Sequence, residues 1–301
     1  MLELVIDGRR HELSPELVVR RILPFRRRRM IGPFIFLDHA GPVDLPAGQR
    51  RSADVPPHPH IGLATVTYLL TGELTHRDSL GSEQVIRPHE VNWMTAGRGI
   101  AHSERFDIGG VTTSGPLELI QSWCALPADA EESPPSFAHH GAESLPVLEE
   151  RGVRLRLIAG TAFGATSAVR TLSPLFYVHA ALEVGARIAL PDGFEERAAY
   201  VARGSVTVDG RDYGAGQLLL FARGGDATIA AAAPATVMLL GGAPVGERFI
   251  WWNFVSSSKA RIEQAKADWQ AGRIPLPPND DREFIPLPDD AARRPPAAPH
   301  S

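Results

Sequence analysis

Two histidines, His58 and His60, stand two residues apart at the start of PHPHIGLATVTYLL, and few other positions in the chain carry such an explicit chemical suggestion. Side chains at i and i+2 leave a β-strand on the same face, so both rings can face one point. At ~3.3 Å of rise per residue their Cα atoms sit roughly 6.5–7 Å apart, from which two imidazoles converge on one ion at ~2.0–2.1 Å. A bare HxH also decorates ordinary strands, so a second couple is needed. It lies 42 positions beyond His60, in MTAGRGIAHSERF, where His102 and Glu104 repeat the spacing. That separation leaves room for about three intervening strands, enough for a meander to lay the two segments side by side. Three imidazoles and a carboxylate make a mixed N/O donor set suited to Fe(II), Mn, Ni, Cu or Zn rather than Ca or Mg, with positions left open for substrate or dioxygen. Structural zinc fits less well, since such sites usually draw on cysteine.

Other residues compete for chemistry. His76 and Asp78, in LTHRDS, share the i, i+2 spacing but follow a Gly-Glu turn, a position compatible with surface residues, with partners that hold a ligand from behind, or with ligands. His39, in FLDHAG, reads either as a loop histidine near the site or, more readily, as a structural residue satisfied by its neighbours. His139 and His140 are adjacent, would face opposite sides of a strand, and read as linker residues. His11, His89, His179 and His300 have no partner at useful spacing. The single cysteine, Cys124, cannot close an intramolecular disulfide and reads as a buried small hydrophobe. In AGRGIAH the third glycine of a dinucleotide fingerprint is replaced by His102, so Gly97 and Gly99 read as a turn feeding the ligand strand. The arginine run at 26–29 reads as a solvated strand or loop.

The elements that must position these residues are short. Gly (28) and Pro (26) are dispersed, and between them lie β-rich runs such as ATVTYLL, EVNWM, SVTVDG and QLLLFA, a pattern of an all-β barrel or sandwich. One helix is expected after Ser256, Ser257 and Ser258, which can cap it, with Ile262, Ala265 and Trp269 on its buried face. From Pro275 onward eight prolines preclude helix or central strand, leaving an extended tail. A weak internal repeat places Tyr200 on Tyr68 and Gly204 on Gly72, implying two similar β units. At the same offset His58 falls on Leu190 and His60 on Asp192, so the second unit lacks the donors. The Pro-, Ser- and acid-rich stretch LPADAEESPPSF puts the boundary near residues 126–145; the expected domains are 1–135, with the metal site, and 136–301, with the helix and tail.

Composition narrows the function classes. A length of 301 residues suits two domains with sizeable cores. No stretch approaches the ~18 apolar residues of a bilayer crossing, so no membrane span is expected. The opening MLELVIDGRRHEL puts charges where a secretory segment is apolar, giving the expectation of a cytoplasmic protein. A net charge of -4, from 31 basic and 35 acidic residues, offers no overall footprint for direct nucleic-acid binding.

Three stretches together, GPFIFLDHAGP (32–42), PPHPHIGLATVTYLLTGELTHRDSLGS (56–82) and NWMTAGRGIAHSE (92–104), resemble the pirin family of the cupin superfamily. The resemblance is most specific across about residues 20–125. It implies a bicupin, two β-barrel (double-stranded β-helix) domains of which only the first binds metal, usually iron, through His58, His60, His102 and Glu104. It further implies one divalent ion, Fe(II) first among Mn, Ni, Cu and Zn, and an enzyme similar to those pirins that act as quercetin 2,3-dioxygenases. Such an enzyme takes a small phenolic substrate and dioxygen, with Glu104 or a metal-bound hydroxide as the proton acceptor and Phe34, Phe36 and Trp93 as apolar walls. The family also includes non-catalytic, iron- or redox-responsive regulators that bind transcription factors or metabolic enzymes; no partner surface stands out in this chain. One departure is Ala64, where several members carry a glutamate shortly after the HxH pair, leaving Glu104 as the candidate for both ligand and base.

Overall fold

The strand Leu63–Thr71 is buried along nearly its whole length, on both faces. Its run LATVTYLLT is β-branched and apolar without clean alternation, the pattern of a strand covered on two sides. One face looks into its own half of the molecule, and the other packs against the second half. The structure, a computed structural model, describes residues 1–13, 17–46, 53–109, 111–112, 114–225 and 227–288. Of the Pro-rich tail, residues 289–301 lie outside the described residues.

In the first half, a seven-stranded antiparallel sheet runs in the order Ser136–His140, Val91–Thr95, Leu63–Thr71, Gly115–Ala125, Phe34–Leu45, Val18–Leu23 and Arg9–Glu12. A four-stranded sheet, ordered Val55–His60, Ile100–Arg105, Leu74–Asp78 and Glu83–Ile86, packs over it, with Leu74 and Ile86 meeting Val19, Leu69 and Leu117. The second half repeats the plan. A large sheet containing Leu175–Leu182, Glu196–Arg203 and Ala235–Gly242 is covered by the small sheet of Arg187–Ala189, Thr228–Ala231, Ser205–Val208 and Arg211–Gly214. Tyr68 and Tyr200 occupy matching strands, each followed by a glycine with positive φ, Gly72 at 85° and Gly204 at 74°, so the internal repeat corresponds to a structural one. At both positions a Cβ would strike a backbone carbonyl oxygen beside it, that of Pro116 at Gly72 and of Pro234 at Gly204, which only glycine avoids.

Sheet membership crosses the division at residue 135 in both directions. Leu2–Asp7 pairs with Gln217–Phe221 in the second large sheet, and Ser136–His140 pairs with Val91–Thr95 in the first. His139 and His140 are therefore strand residues rather than linker, and His139 Nδ1 meets Asn92 Oδ1 at 2.8 Å. The two large sheets share one apolar core that includes Phe34, Tyr68, Trp93, Tyr177 and Tyr200. The expected helix spans Lys259–Gln270; Ser258 caps it by accepting from Arg261 N, and Ile262, Ala265 and Trp269 are its buried residues. No helix among the described residues is long and apolar enough to cross a membrane.

Candidate metal centre

The strands Val55–His60 and Ile100–Arg105 are direct antiparallel neighbours, with His102 opposite His58. Four strands, not three, intervene in sequence, and two of them belong to the opposite sheet, so the segments meet by crossing between sheets rather than by a meander. The register slips between His102 and Glu104, where Glu104 aligns with Val55. The extra residue falls in the Pro56–Pro57 stretch, and proline, lacking an N–H, is tolerated where a ladder is interrupted. Before the second ligand strand the chain turns at Gly97, whose φ of 50° and closeness to Ser133 O leave no room for a Cβ.

His58, His60 and His102 are buried, and their ligand nitrogens lie within 4.8 Å of one another. His60 Nε2 and His102 Nε2 are 3.1 Å apart. Burial pushes all three imidazoles toward the neutral form. His58 falls to about 4, and His60 and His102 fall well below the ordinary histidine value, with the neighbouring rings adding to the effect of burial. Neutral imidazole is the ligating form, so the cluster needs no proton removed from it at neutral pH. His58 Nδ1 lies 2.9 Å from Pro56 O. A carbonyl only accepts, so this nitrogen carries the proton and Nε2 keeps its lone pair.

Glu104 lines the same cavity but stands outside the 4.8 Å set. Its Oε1 is buried without a hydrogen-bond partner. Burial raises its carboxyl to about 7, opposed by a hydrogen bond from Thr67. An orphaned carboxylate oxygen beside three neutral imidazoles suits a cation, and the N/O chemistry fits a first-row divalent metal. Ala64, by contrast, belongs to the core shared by the two halves, so a carboxylate there would point away from the histidines.

The cavity measures about 670 Å³. Phe36 lines it and stacks on Trp123, with ring centroids 4.0 Å apart. Phe34 and Trp93, expected as walls, instead face the shared core, where Phe34 packs edge-on to Tyr177 at 5.2 Å. Phe34 and Phe36 part company because the pairing slips at Trp123 and Cys124, their respective neighbours being Cys124 and Trp123, and such a bulge breaks the two-residue alternation. Cys124 is buried, and burial pushes its thiol up, in keeping with an inert small hydrophobe.

Several lining residues gave no signal in the sequence because they arrive from far along the chain. Ile250, Trp252 and Asn253 come from the segment before the helix, and Ile285 from the Pro-rich tail. The tail crosses the site as a strap: Ile285 N donates to Pro57 O at 2.9 Å, and Trp269 Nε1 donates to Ile285 O at 3.0 Å. Arg105, one residue past Glu104, binds Asp280 through two hydrogen bonds of 2.7 and 2.8 Å.

The other candidates settle elsewhere. His76 is buried behind His102, with Nε2 3.1 Å from Asp78 Oδ2 and Nδ1 3.3 Å from His102 Nδ1. His39 is a strand residue facing the second half, not a loop residue near the metal cluster; it meets Tyr200 Oη at 2.8 Å and Glu118 Oε1 at 2.9 Å. His179 has a partner after all, Tyr68 Oη at 2.8 Å. In the arginine run, Arg28 pairs with Glu196 at 2.6 Å, while Arg26, Arg27 and Arg29 are exposed. His300 lies outside the described residues.

Residues 16–124 match the family model Pirin, and residues 177–275 match the Pirin C-terminal cupin domain. A pirin-like protein of Caulobacter vibrioides is 58% identical, over 96% of this chain and 100% of that one. The crystal structure of a quercetin 2,3-dioxygenase from Acinetobacter baumannii shares 33% identity and a TM-score of 0.86, covering 95% of each chain. The bacterial pirin YhhW of Escherichia coli, solved in complex with nickel(II), shares the fold at a TM-score of 0.63 and 19% identity, over 80% of this chain and 99% of that one.

Proposed function

Starting from the fact that the chain belongs to the pirin family, we propose that it is a mononuclear metal-dependent dioxygenase that opens flavonols such as quercetin. The observation that carries this reading is the convergence of His58, His60 and His102 at one side of an aromatic-lined cavity, with the unpartnered Glu104 oxygen beside them. The likeness to the Acinetobacter baumannii enzyme supports the substrate class.

His58, His60, His102 and Glu104 would hold the ion, with Fe(II) the first expectation. When bound, such an ion supplies Lewis acidity and a common site for substrate and dioxygen. The protein's own share is positioning and proton transfer. Phe36 and Trp123 offer flat apolar faces to the flavonol rings, and the enclosing strap and the 250–253 segment exclude water. Glu104, buried beside the three histidines, accepts the proton of the 3-hydroxyl, making that oxygen the anionic handle of the substrate. The ring-opened product then leaves with carbon monoxide.

The test begins with elemental analysis of protein purified without chelator, beside His58→Ala and His102→Ala. Wild type is expected to hold about one ion per chain, and both variants to lose it. Anaerobic loading with Fe(II), addition of quercetin and then air is expected to give oxygen uptake and carbon monoxide. No uptake with any of Fe, Mn, Ni, Cu or Zn would end the dioxygenase reading.

A further inference from the structure

Behind His102 stands a chain of hydrogen bonds that the donor set does not include. Asp78 Oδ1 accepts from Leu80 N at 2.9 Å and from Ser82 N at 3.1 Å, which fixes the carboxylate's orientation. Its other oxygen, Oδ2, lies 3.1 Å from His76 Nε2. The His76 ring is held flat on Phe137, with centroids 4.3 Å apart and an interplanar angle of 9°. His76 Nδ1 then meets His102 Nδ1 at 3.3 Å. Strand register enforces the order, since Asp78 sits opposite His102 and His76 opposite Glu104.

We propose that Asp78 and His76 are positioning residues that set the proton order of His102, leaving its Nε2 bare toward the other two histidines. A carboxylate can only accept, so neutral His76 carries its one proton on Nε2 and presents a lone pair at Nδ1. That lone pair can be satisfied only if His102 Nδ1 bears a proton. The remaining nitrogen, Nε2, which lies 3.1 Å from His60 Nε2, then has no proton and is a ligand in waiting. His58 reaches the same state more directly, through Pro56 O. The inference rests on the metal-centre reading above for its purpose, but its proton order can be measured without any ion.

Asp78→Asn is the discriminating substitution. The two backbone donors at Leu80 and Ser82 require an oxygen, so the amide would keep Oδ1 in place and turn its NH₂ toward His76. His76 would have to accept at Nε2 and carry its proton on Nδ1. It would then donate to His102 Nδ1 and drive the His102 proton onto Nε2, capping the ligand nitrogen. The turn survives this change, so a purely structural role for Asp78 would leave both tautomer and metal affinity as they were.

The experiment is ¹⁵N-histidine NMR of metal-free wild type and D78N at pH 8, with Co(II) titration of each by calorimetry and absorption. The expected result is Nδ1–H on His102 in wild type, Nε2–H in D78N, and a loss of roughly ten- to a hundredfold in Co(II) affinity, the usual effect of removing such a partner. A wild-type His102 protonated on Nε2, or a D78N protein with unchanged tautomer and affinity, overturns the proposal. Failure of wild type to take up Co(II) would sink the metal-centre reading, while the tautomers would still judge the proton order. Should D78N fail to fold, the wild-type spectrum decides alone.

Discussion

Glu104 carries two demands at the residue scale, since the same carboxylate must tolerate enclosure and still accept a proton. Its carboxyl is raised to about 7 chiefly by burial in the cavity, and a cation bound beside it would favour the ionised, accepting form. Replacing it by Gln keeps the shape but removes both the base and a charged donor to the ion; in protein shown by elemental analysis to keep its metal, turnover of quercetin is expected to fall by roughly 10²–10⁴, the usual contribution of a positioned base. Stopped-flow kinetics with saturating flavonol would check this, and unchanged kcat would remove Glu104 from the chemistry. The donor types and their i, i+2 spacing were legible in the sequence because a strand's two-residue period is a local property. The role of His76 was not, since it depends on which residue of a neighbouring strand lies opposite.

At the scale of elements, the segment 275–288 reads in sequence only as neither helix nor central strand. Folded, it straps the cavity, held by Ile285, Trp269 and the Arg105–Asp280 pair. Burial alone would raise the Asp280 carboxyl, but the hydrogen bonds and charge of Arg105 outweigh it and hold the value below the ordinary one. A carboxyl so lowered stabilises the strap above the unfolded value near 3.8, and that contribution is lost as pH falls through the folded value. Asp280→Ala removes charge-assisted bonds worth about 1.5–3 kcal/mol each, offset in part because Arg105 also reaches Asp54 and Glu283. Limited proteolysis is expected to cut the strap roughly tenfold faster in this variant, as a change of about 1.4 kcal/mol in local opening would give. Equal cutting rates would mean that Ile285 and Trp269 hold the strap unaided. The helix itself was readable, because its serine cap and the three- and four-residue spacing of Ile262, Ala265 and Trp269 are encoded within a dozen residues. The different fates of Phe34 and Phe36 were not, because the bulge beside them is a matter of pairing.

The whole molecule is joined across the two large sheets by a reciprocal pair of contacts. Tyr68 of the first half reaches His179 of the second, and Tyr200 of the second half reaches His39 of the first. The internal repeat equates the two tyrosines, and the strands that carry the two histidines hold matching places in the two large sheets. Ser122 adds a third link, to Tyr177 at 2.9 Å. Tyr200→Phe leaves a buried ring nitrogen unpaired and is expected to cost about 1–3 kcal/mol in denaturant unfolding, with Tyr68→Phe similar. His39 is lowered to about 4, first by burial and then by Arg20 and Arg203, with Glu118 and Tyr200 as its hydrogen-bond partners. The unfolded state therefore binds the proton more readily, so stability is full above pH ~6.5 and falls toward pH ~4 by up to about 3 kcal/mol. His39→Gln is expected to flatten that slope; an unchanged slope between pH 6.5 and 4 would assign it to other groups.

By itself the sequence determined an all-β chain with two related units, a capped C-terminal helix, and three histidines and a glutamate placed only in the first unit. Those are properties of residue type and of spacing within single elements. Tertiary structure alone decided that the two donor strands are neighbours, that Asp78 and His76 stand behind His102, and that Trp123, Trp252 and Ile285 rather than Phe34 and Trp93 enclose the cavity. Each of these depends on strand order, register or a bulge, and so on contacts between residues tens to hundreds of positions apart, whose free energy is shared over the whole core rather than written in any one segment.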